Sequence, residues 1–391
     1  MEFEYWWLLA LPLFFGLGWL AARIDIKHLL LESRNLPRAY FKGLNFLLNE
    51  QPDKAIDAFI EVVRVDPETV ELHFALGSLF RRRGETERAI RMHQNLLDRA
   101  DLGDEQRLYA LFELGQDYLR AGLLDRAEEV FVRLQKGTRR GEALKALLEI
   151  YQQEKDWTKA IDIAGQLERE SGQSSQKEIA NYYCELAALD ATHSRREEAM
   201  RHLEQALAAN RKCVRANVVL GDLYAAAGDN ARAIEAWKQI EQQQPAYLAL
   251  VAQRLLEGHR ALSRAEEGLT LLRGYLEAYP SLDLLDVAFQ STLDVKGPEE
   301  AYRLVKEELR RHPTLLGLDR LLEAQILVAP TERRPDLDLI RNLIHGHTRR
   351  LARYSCENCG FKARQFYWNC PACGGWETYP PKRAEEFDLN S

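Results

Sequence analysis

Residues 220–245 read LGDLYAAAGDNARAIEAWKQIEQQQP. Gly221 is followed there by Tyr224 three positions on, Ala233 twelve on, Trp237 sixteen on and Pro245 twenty-four on. The same offsets run through three more glycines. Gly43 leads to Phe46, Ala55, Phe59 and Pro67, Gly77 to Phe80, Ala89 and His93, and Gly115 to Tyr118, Ala127 and Phe131. A small residue on each of two successive helices lets them approach closely, while the aromatics fill the space to the next pair and the proline closes the second helix. The pattern predicts an all-α chain of stacked helix pairs.

These residues resemble the tetratricopeptide repeat, and the resemblance implies a superhelix of such pairs. Gly43 to Gly77 is 34 residues and Gly77 to Gly115 is 38, the extra four falling around Leu102-Gly103-Asp104. Between Gly115 and Gly221 there is room for two degenerate units, with second helices at Ala160-Ile161 and Ala199-Met200. Pro280 and Pro313 follow Pro245 at steps of 35 and 33, with Gly268 and Ala301 each twelve residues earlier. About eight units therefore cover residues 37–315 and a further helix pair runs to about His345, an array over 37–345. The middle units lack the glycine, which should bend or loosen the stack there. Arrays of this kind hold peptides or protein segments in a curved groove. Arg81-Arg82-Arg83, near the end of a first helix, reads as a solvated charge run suited to the macrodipole.

Nothing catalytic accompanies the repeats: the nine histidines are scattered, with no HExxH, GxSxG or Walker loop, so no catalytic or cofactor-binding residue is assigned and the chain is read as a non-enzyme. With 391 residues, 46% hydrophobic and 29% charged, the chain can bury a large core, which excludes disorder over most of its length. A net charge of -7 argues against a general polyanion binder.

Residues 5–22 read YWWLLALPLFFGLGWLAA, 18 positions without a charge. As a helix they would extend about 27 Å, close to the thickness of a bilayer's hydrocarbon core. Trp6, Trp7 and Trp19 stand near the ends, Glu2 and Glu4 precede the segment, and Arg23, Lys27, Arg34 and Arg38 follow it. The expectation is a single-pass anchor within residues 1–22, a juxtamembrane linker at 23–36, and everything after Ala22 on the cytoplasmic side. A cleaved signal peptide would need a basic leading region, which is absent.

Four of the six cysteines form Cys356-Glu-Asn-Cys359-Gly360 and Cys370-Pro-Ala-Cys373-Gly374. Two residues between thiolates aim both sulfurs at one ion, and two such knuckles complete a tetrahedral site with no open position. Cys356, Cys359, Cys370 and Cys373 are thus the expected ligands of one structural metal ion, zinc, with iron as the alternative. Phe366-Tyr367-Trp368, between the knuckles, has strand propensity. The knuckles resemble rubredoxin over residues 350–381, but the interval between them is far shorter, which favours a zinc-ribbon role over electron transfer. Residues 349–383 hold seven Lys/Arg against two Glu, and an acidic tail closes the chain at 382–391. The basic excess, with Phe366, Tyr367, Trp368 and Trp376 as stacking rings, would be the basis of a nucleic-acid reading. The acidic chain and the tether weigh against it, and nucleic acid is not the expected partner.

The YWWLLALPLFFGLGWLAAR anchor joined directly to repeats, and the CENCGF…WNCPACGGW ending, together resemble the lipopolysaccharide assembly protein B family of Gram-negative bacteria. That resemblance implies an inner-membrane adaptor that controls lipopolysaccharide synthesis. It further implies work with a membrane-anchored AAA+ zinc protease on degradation of the deacetylase that commits precursors to lipid A, and association with a small inner-membrane regulator that senses lipopolysaccharide.

Overall fold

The structure is a computed structural model that describes residues 38–49, 51–65, 70–351 and 354–383, together with Trp19. The expected anchor at 5–22, apart from Trp19, the linker at 23–36 and tail residues 384–391 lie outside the described residues. Among the described residues no helix is long and apolar enough to cross a membrane. The chain divides into two compact units, Met1–Ile150 and Tyr151–Ser391.

The first unit contains α1 (Arg38–Leu48), α2 (Pro52–Val65), α3 (Val70–Arg83), α4 (Thr86–Leu97), α5 (Asp104–Arg120) and α6 (Leu124–Leu134). The unit boundary falls inside α7 (Arg140–Glu154). The second unit continues with α8 (Trp157–Ser171), α9 (Gln176–Thr192), α10 (Arg196–Ala209), α11 (Val214–Ala226), α12 (Asn230–Gln243), α13 (Leu248–Ala261), α14 (Ala265–Ala278), α15 (Leu282–Lys296) and α16 (Pro298–Arg311). A last pair, α17 (Leu315–Val328) and α18 (Arg334–Leu351), precedes the short antiparallel strands β1 (Tyr354–Ser355) and β2 (Lys362–Ala363).

Local chemistry explains where these helices start and turn. Asp156, Asp229, Ser281 and Thr314 cap helix N-termini by accepting from the amides of Lys159, Arg232, Leu284 and Gly317. Seven residues after Gly77, Gly115 and Gly221 the chain reverses between the paired helices, with Gly84, Gly122 and Gly228 at positive φ. In the degenerate pairs Lys155, Ser194 and Ser263 take the same left-handed turn. Counting back seven from them puts Leu148, Ala187 and Leu256 at the glycine position, so the repeat register persists where its signature residue is lost.

The glycines are small because of what stands sixteen residues later. A Cβ on Gly115 would lie 2.8 Å from Phe131 Cζ, and one on Gly221 would lie 2.6 Å from Trp237 Cε2, distances real Cβ atoms do not adopt. In the pairs without glycine the bulk is redistributed: Ala187 shares a core cluster with Leu203, and Phe289 with Val305, all four fully buried. Ala187 with Leu203 fills about the volume that Gly115 and Phe131 fill together, so the core of that middle unit is packed without a glycine. Gly221→Ala should lower stability by about 1–3 kcal/mol through overpacking, without a change of fold. Gly165→Ala, on α8 with open space at its Cβ, should raise it by up to about 1 kcal/mol. Urea unfolding midpoints of the two variants would show shifts of opposite sign.

Arg81 does not behave as part of a solvated run. Its guanidinium donates to Glu113 Oε2 at 2.6 Å and Asp117 Oδ1 at 2.7 Å, while the second oxygen of Asp117 lies 2.5 Å from His93 Nδ1. His93 and Asp117 are wholly buried, and the imidazole lies over Gly77, where the other repeats place an aromatic ring. Burial opposes the Arg81 charge, but the hydrogen bonds and charges of Glu113 and Asp117 outweigh it and raise the pKa. Arg82 is exposed, and Arg83 pairs with Asp53 and Glu85 near the surface.

Candidate metal centre

The two CxxCG turns are built alike. The Cys356 amide donates to Phe361 O and the Cys370 amide to Gly375 O, both at 2.9 Å, while the Gly360 and Gly374 amides donate back to Cys356 O and Cys370 O. Gly360 and Gly374 have φ of 73° and 68°, which a side chain would strain. The turns are joined through Glu357 N, which donates to Thr378 O, and Glu377 N, which donates to Trp368 O. Inside this frame Tyr379 is fully buried, donates its hydroxyl to Tyr354 O at 3.0 Å, and packs against the rings of Phe361, Phe366 and Tyr367.

The turns bring the four sulfurs together. Cys356 and Cys373 stand 3.8 Å apart, Cys359 and Cys370 3.7 Å, and all four sulfurs lie within 4.8 Å of one another. A tetrahedral ion with metal–sulfur bonds of about 2.3 Å separates its sulfurs by about 3.8 Å. A disulfide would need about 2.05 Å, and all four cysteines are free. Cys356 shows the same preparation: burial opposes its thiolate, but the Thr378 hydroxyl and the amides of Cys359 and Asn358 bring it down to about 6. Cys373 is lowered by the Gly375 amide and the Asn358 side chain. Cys359 goes the other way, to about 12: the Phe361 amide favours its thiolate, but burial and the three neighbouring sulfurs overcome it. Four thiolates so close repel one another unless a cation neutralises them, so the donor set fits one structural metal ion.

The ribbon is seated on the repeats. Trp376 makes edge contacts with Trp157 at 6.1 Å and Tyr182 at 5.8 Å between ring centroids. Trp368 stacks on Tyr247 at 5.5 Å and 10°, and the Arg215 guanidinium lies 5.8 Å from both indoles. Asn181 donates to Glu377 Oε1 at 2.9 Å, and Tyr354 donates to Asp283 Oδ2 at 3.3 Å. Arg383 reaches Asp283 at 2.5 Å and Asp286 at 3.1 Å, while Arg320 holds the other side of Asp286. Asn181, Arg215, Asp283 and Arg320 belong to α9, α11, α15 and α17, and Tyr247 to the turn entering α13. The ribbon thus lies across the first helices of five successive pairs. Burial raises the phenols of Tyr182, to about 12, and of Tyr247, as a water-poor contact requires.

Two expectations change here. Phe366-Tyr367-Trp368 is not a strand; among the described residues pairing is confined to β1–β2 and a bridge between Asn369 and Trp376, and Phe366 and Trp368 pack against Tyr247 instead. The same packing removes Trp368 and Trp376 as free stacking rings. Arg383, just beyond the ribbon, pairs with Asp283 and Asp286 of the repeats. No motif in the sequence marks the face that receives the ribbon. A signal was available: Asn181 and Arg215 are 34 residues apart, as are Asp286 and Arg320, so polar residues recur on the repeat period beside the apolar ones.

Comparison with known proteins agrees with this construction. Residues 354–381 match the family described as the rubredoxin metal binding domain, and residues 42–103 and 185–248 match the tetratricopeptide repeat. Lipopolysaccharide assembly protein B of Escherichia coli K12 is 35% identical over 379 residues, covering 96% of this chain and 97% of that protein. The chain belongs to the lipopolysaccharide assembly protein B family. The Haemophilus influenzae member is 31% identical over 394 residues, covering 97% of this chain and 98% of its own. Among solved structures, a tetratricopeptide repeat protein from Parabacteroides merdae aligns with a TM-score of 0.34 at 15% identity, covering 73% of this chain and 97% of that one.

Glu377 provides a test of the ribbon's seat. Burial raises its carboxyl pKa against the opposing effect of the Asn181 hydrogen bond. A raised folded-state value means that the seat is firmest below the unfolded-state pKa and weakens as pH rises through the folded one. Glu377→Gln should therefore raise the thermal midpoint at pH 7 and flatten its dependence on pH between 4 and 7. An unchanged slope would show that this carboxyl does not sense the contact.

Proposed function

We propose that this chain is a membrane-tethered, non-enzymatic adaptor that regulates lipopolysaccharide synthesis by promoting proteolysis of the lipid A-committing deacetylase by the membrane AAA+ protease. The observation that carries the reading is the build of the ribbon: a closed four-sulfur centre whose aromatic exterior is joined to the first-helix face of a repeat array. A centre with every position taken by protein has no place for substrate or water, so the metal's work is to hold shape. Zinc suits that work, having no redox chemistry of its own. The names of the relatives supply the lipopolysaccharide context. The charge-free segment at 5–22 supplies the tether, with the array on the cytoplasmic side of the inner membrane, and the tether concentrates it beside membrane partners. A small inner-membrane lipopolysaccharide-sensing regulator is the proposed third partner.

The deciding measurement is the half-life of the deacetylase in cells carrying the intact chain, a chain without residues 1–22, or Cys359→Ser. Both variants should lengthen it. If both degrade the deacetylase as fast as the intact chain, the adaptor reading fails. Metal analysis of chelator-free protein should give about one zinc per chain; a red, redox-active protein would mean iron and favour electron transfer.

A further inference from the structure

The turn between α10 and α11 opens onto a cavity that the ribbon does not use. It measures about 370 Å³ and is lined by Arg211 and Lys212 from the turn, Asn217 from α11, and Gln239, Gln242 and Gln243 from α12, with no carboxylate in the lining. Arg215, two residues before Asn217 and about 200° around the helix, carries the ribbon's indoles, so the cavity lies on another side of α11. Arg211 and Lys212 are exposed and, among the described residues, form no ion pair, whereas Arg201, Arg215 and Arg232 each have a carboxylate.

Asn217 decides what the cavity suits. It is only 6% exposed, yet among the described residues no group hydrogen-bonds its side-chain amide. A buried amide without a partner lowers stability, and such groups persist where function uses them. Gln243 donates to Arg211 O at 2.8 Å and Cys213 O at 3.4 Å, which holds its amide in place and leaves its buried oxygen without a donor. Two cations and an amide without partners call for an oxyanion, and charge-assisted hydrogen bonds make that pairing strong. A lone phosphate would answer them but bring no N–H for the Gln243 oxygen. A peptide brings both a side-chain carboxylate and main-chain N–H groups, and glutamine amides donate and accept along it. We propose that this cavity binds an acidic segment of a partner protein, with the carboxylate on Arg211, Lys212 and Asn217 and the main chain on the α12 glutamines. The site needs neither the tether nor the metal, so it holds or fails independently of the adaptor role.

The test is calorimetric titration of the full-length chain in detergent with three probes: a blocked peptide of glutamate and aspartate, its glutamine and asparagine counterpart, and inorganic phosphate. The acidic peptide should bind, more weakly as salt is added, and the other two should bind about tenfold more weakly or not at all. Arg211→Ser, Lys212→Ser and Asn217→Leu should each weaken the acidic peptide about tenfold, the size of one hydrogen bond to a charged group. Asn217→Leu also separates binding from folding. It removes an unpartnered buried amide, so its urea midpoint should stay level or rise while binding falls; an asparagine that only supports the fold would lose stability instead. The proposal is overturned by no binding of the acidic peptide, by equal binding of the neutral one, by phosphate binding as tightly, or by an Asn217→Leu variant that binds as the parent does or unfolds at lower urea.

Discussion

Cys359→Ser should leave the repeats helical and undo the ribbon, with a loss that spreads into the second unit. With three thiolates and no closed site the ion is lost, and its binding energy, of order 10 kcal/mol for small zinc modules, is the folding energy of a segment too short to bury a sufficient core. The aromatic seat then separates: Trp376 leaves Trp157 and Tyr182, and Trp368 leaves Tyr247. Tryptophan emission should shift to the red while the far-ultraviolet dichroism changes little, because the ribbon contributes only two strands of two residues each. The unfolding transition of the second unit should move to lower temperature, since Tyr182 and Tyr247 lose the ribbon's indoles and Asp283 loses Tyr354, while Asp286 keeps Arg320. Chelation of the intact protein should give the same spectrum. Metal loss with unchanged emission would show that the ribbon holds its seat without an ion.

Much of this architecture is legible in the sequence because small and large residues at fixed offsets are themselves packing rules. Gly221 and Trp237 announce their contact, since only a residue without a Cβ can lie against that indole. The cysteine pairs are legible for a similar reason: the spacing that lets a turn aim two sulfurs at one ion has few other uses. The seat of the ribbon is much less legible. It is made by single residues from five repeats, each an ordinary helix-face residue on its own, and they become a surface only once the stacking places them side by side. The degenerate units are less legible for another reason. Their glycine signature is replaced by exchanges such as Ala187 with Leu203, which conserve summed volume and change both letters.

The basic run at Arg81 is the clearest case of composition misleading, and it carries the second large effect. Three adjacent arginines read as a solvated helix end, yet helical geometry turns each one about 100° from the next, so neighbours in sequence meet different surroundings. Arg81 is turned inward to Glu113 and Asp117, whose side chains are 8% and 0% exposed, and Asp117 also contacts the buried His93. Arg81→Ala would leave two carboxyl groups inside the first unit without their cation. Breaking a buried pair by removing one partner costs about 3–5 kcal/mol, mostly as the penalty on the charge left behind. Arg82→Ala, at an exposed position, should change stability by no more than about 0.5 kcal/mol. Arg81→Met keeps most of the packing and removes the charge, and it should lie close to Arg81→Ala rather than to the parent protein. Urea unfolding of the three variants separates the outcomes. If Arg81→Met is as stable as the parent, the carboxylates are satisfied without the arginine and the cluster is held by His93 and packing alone.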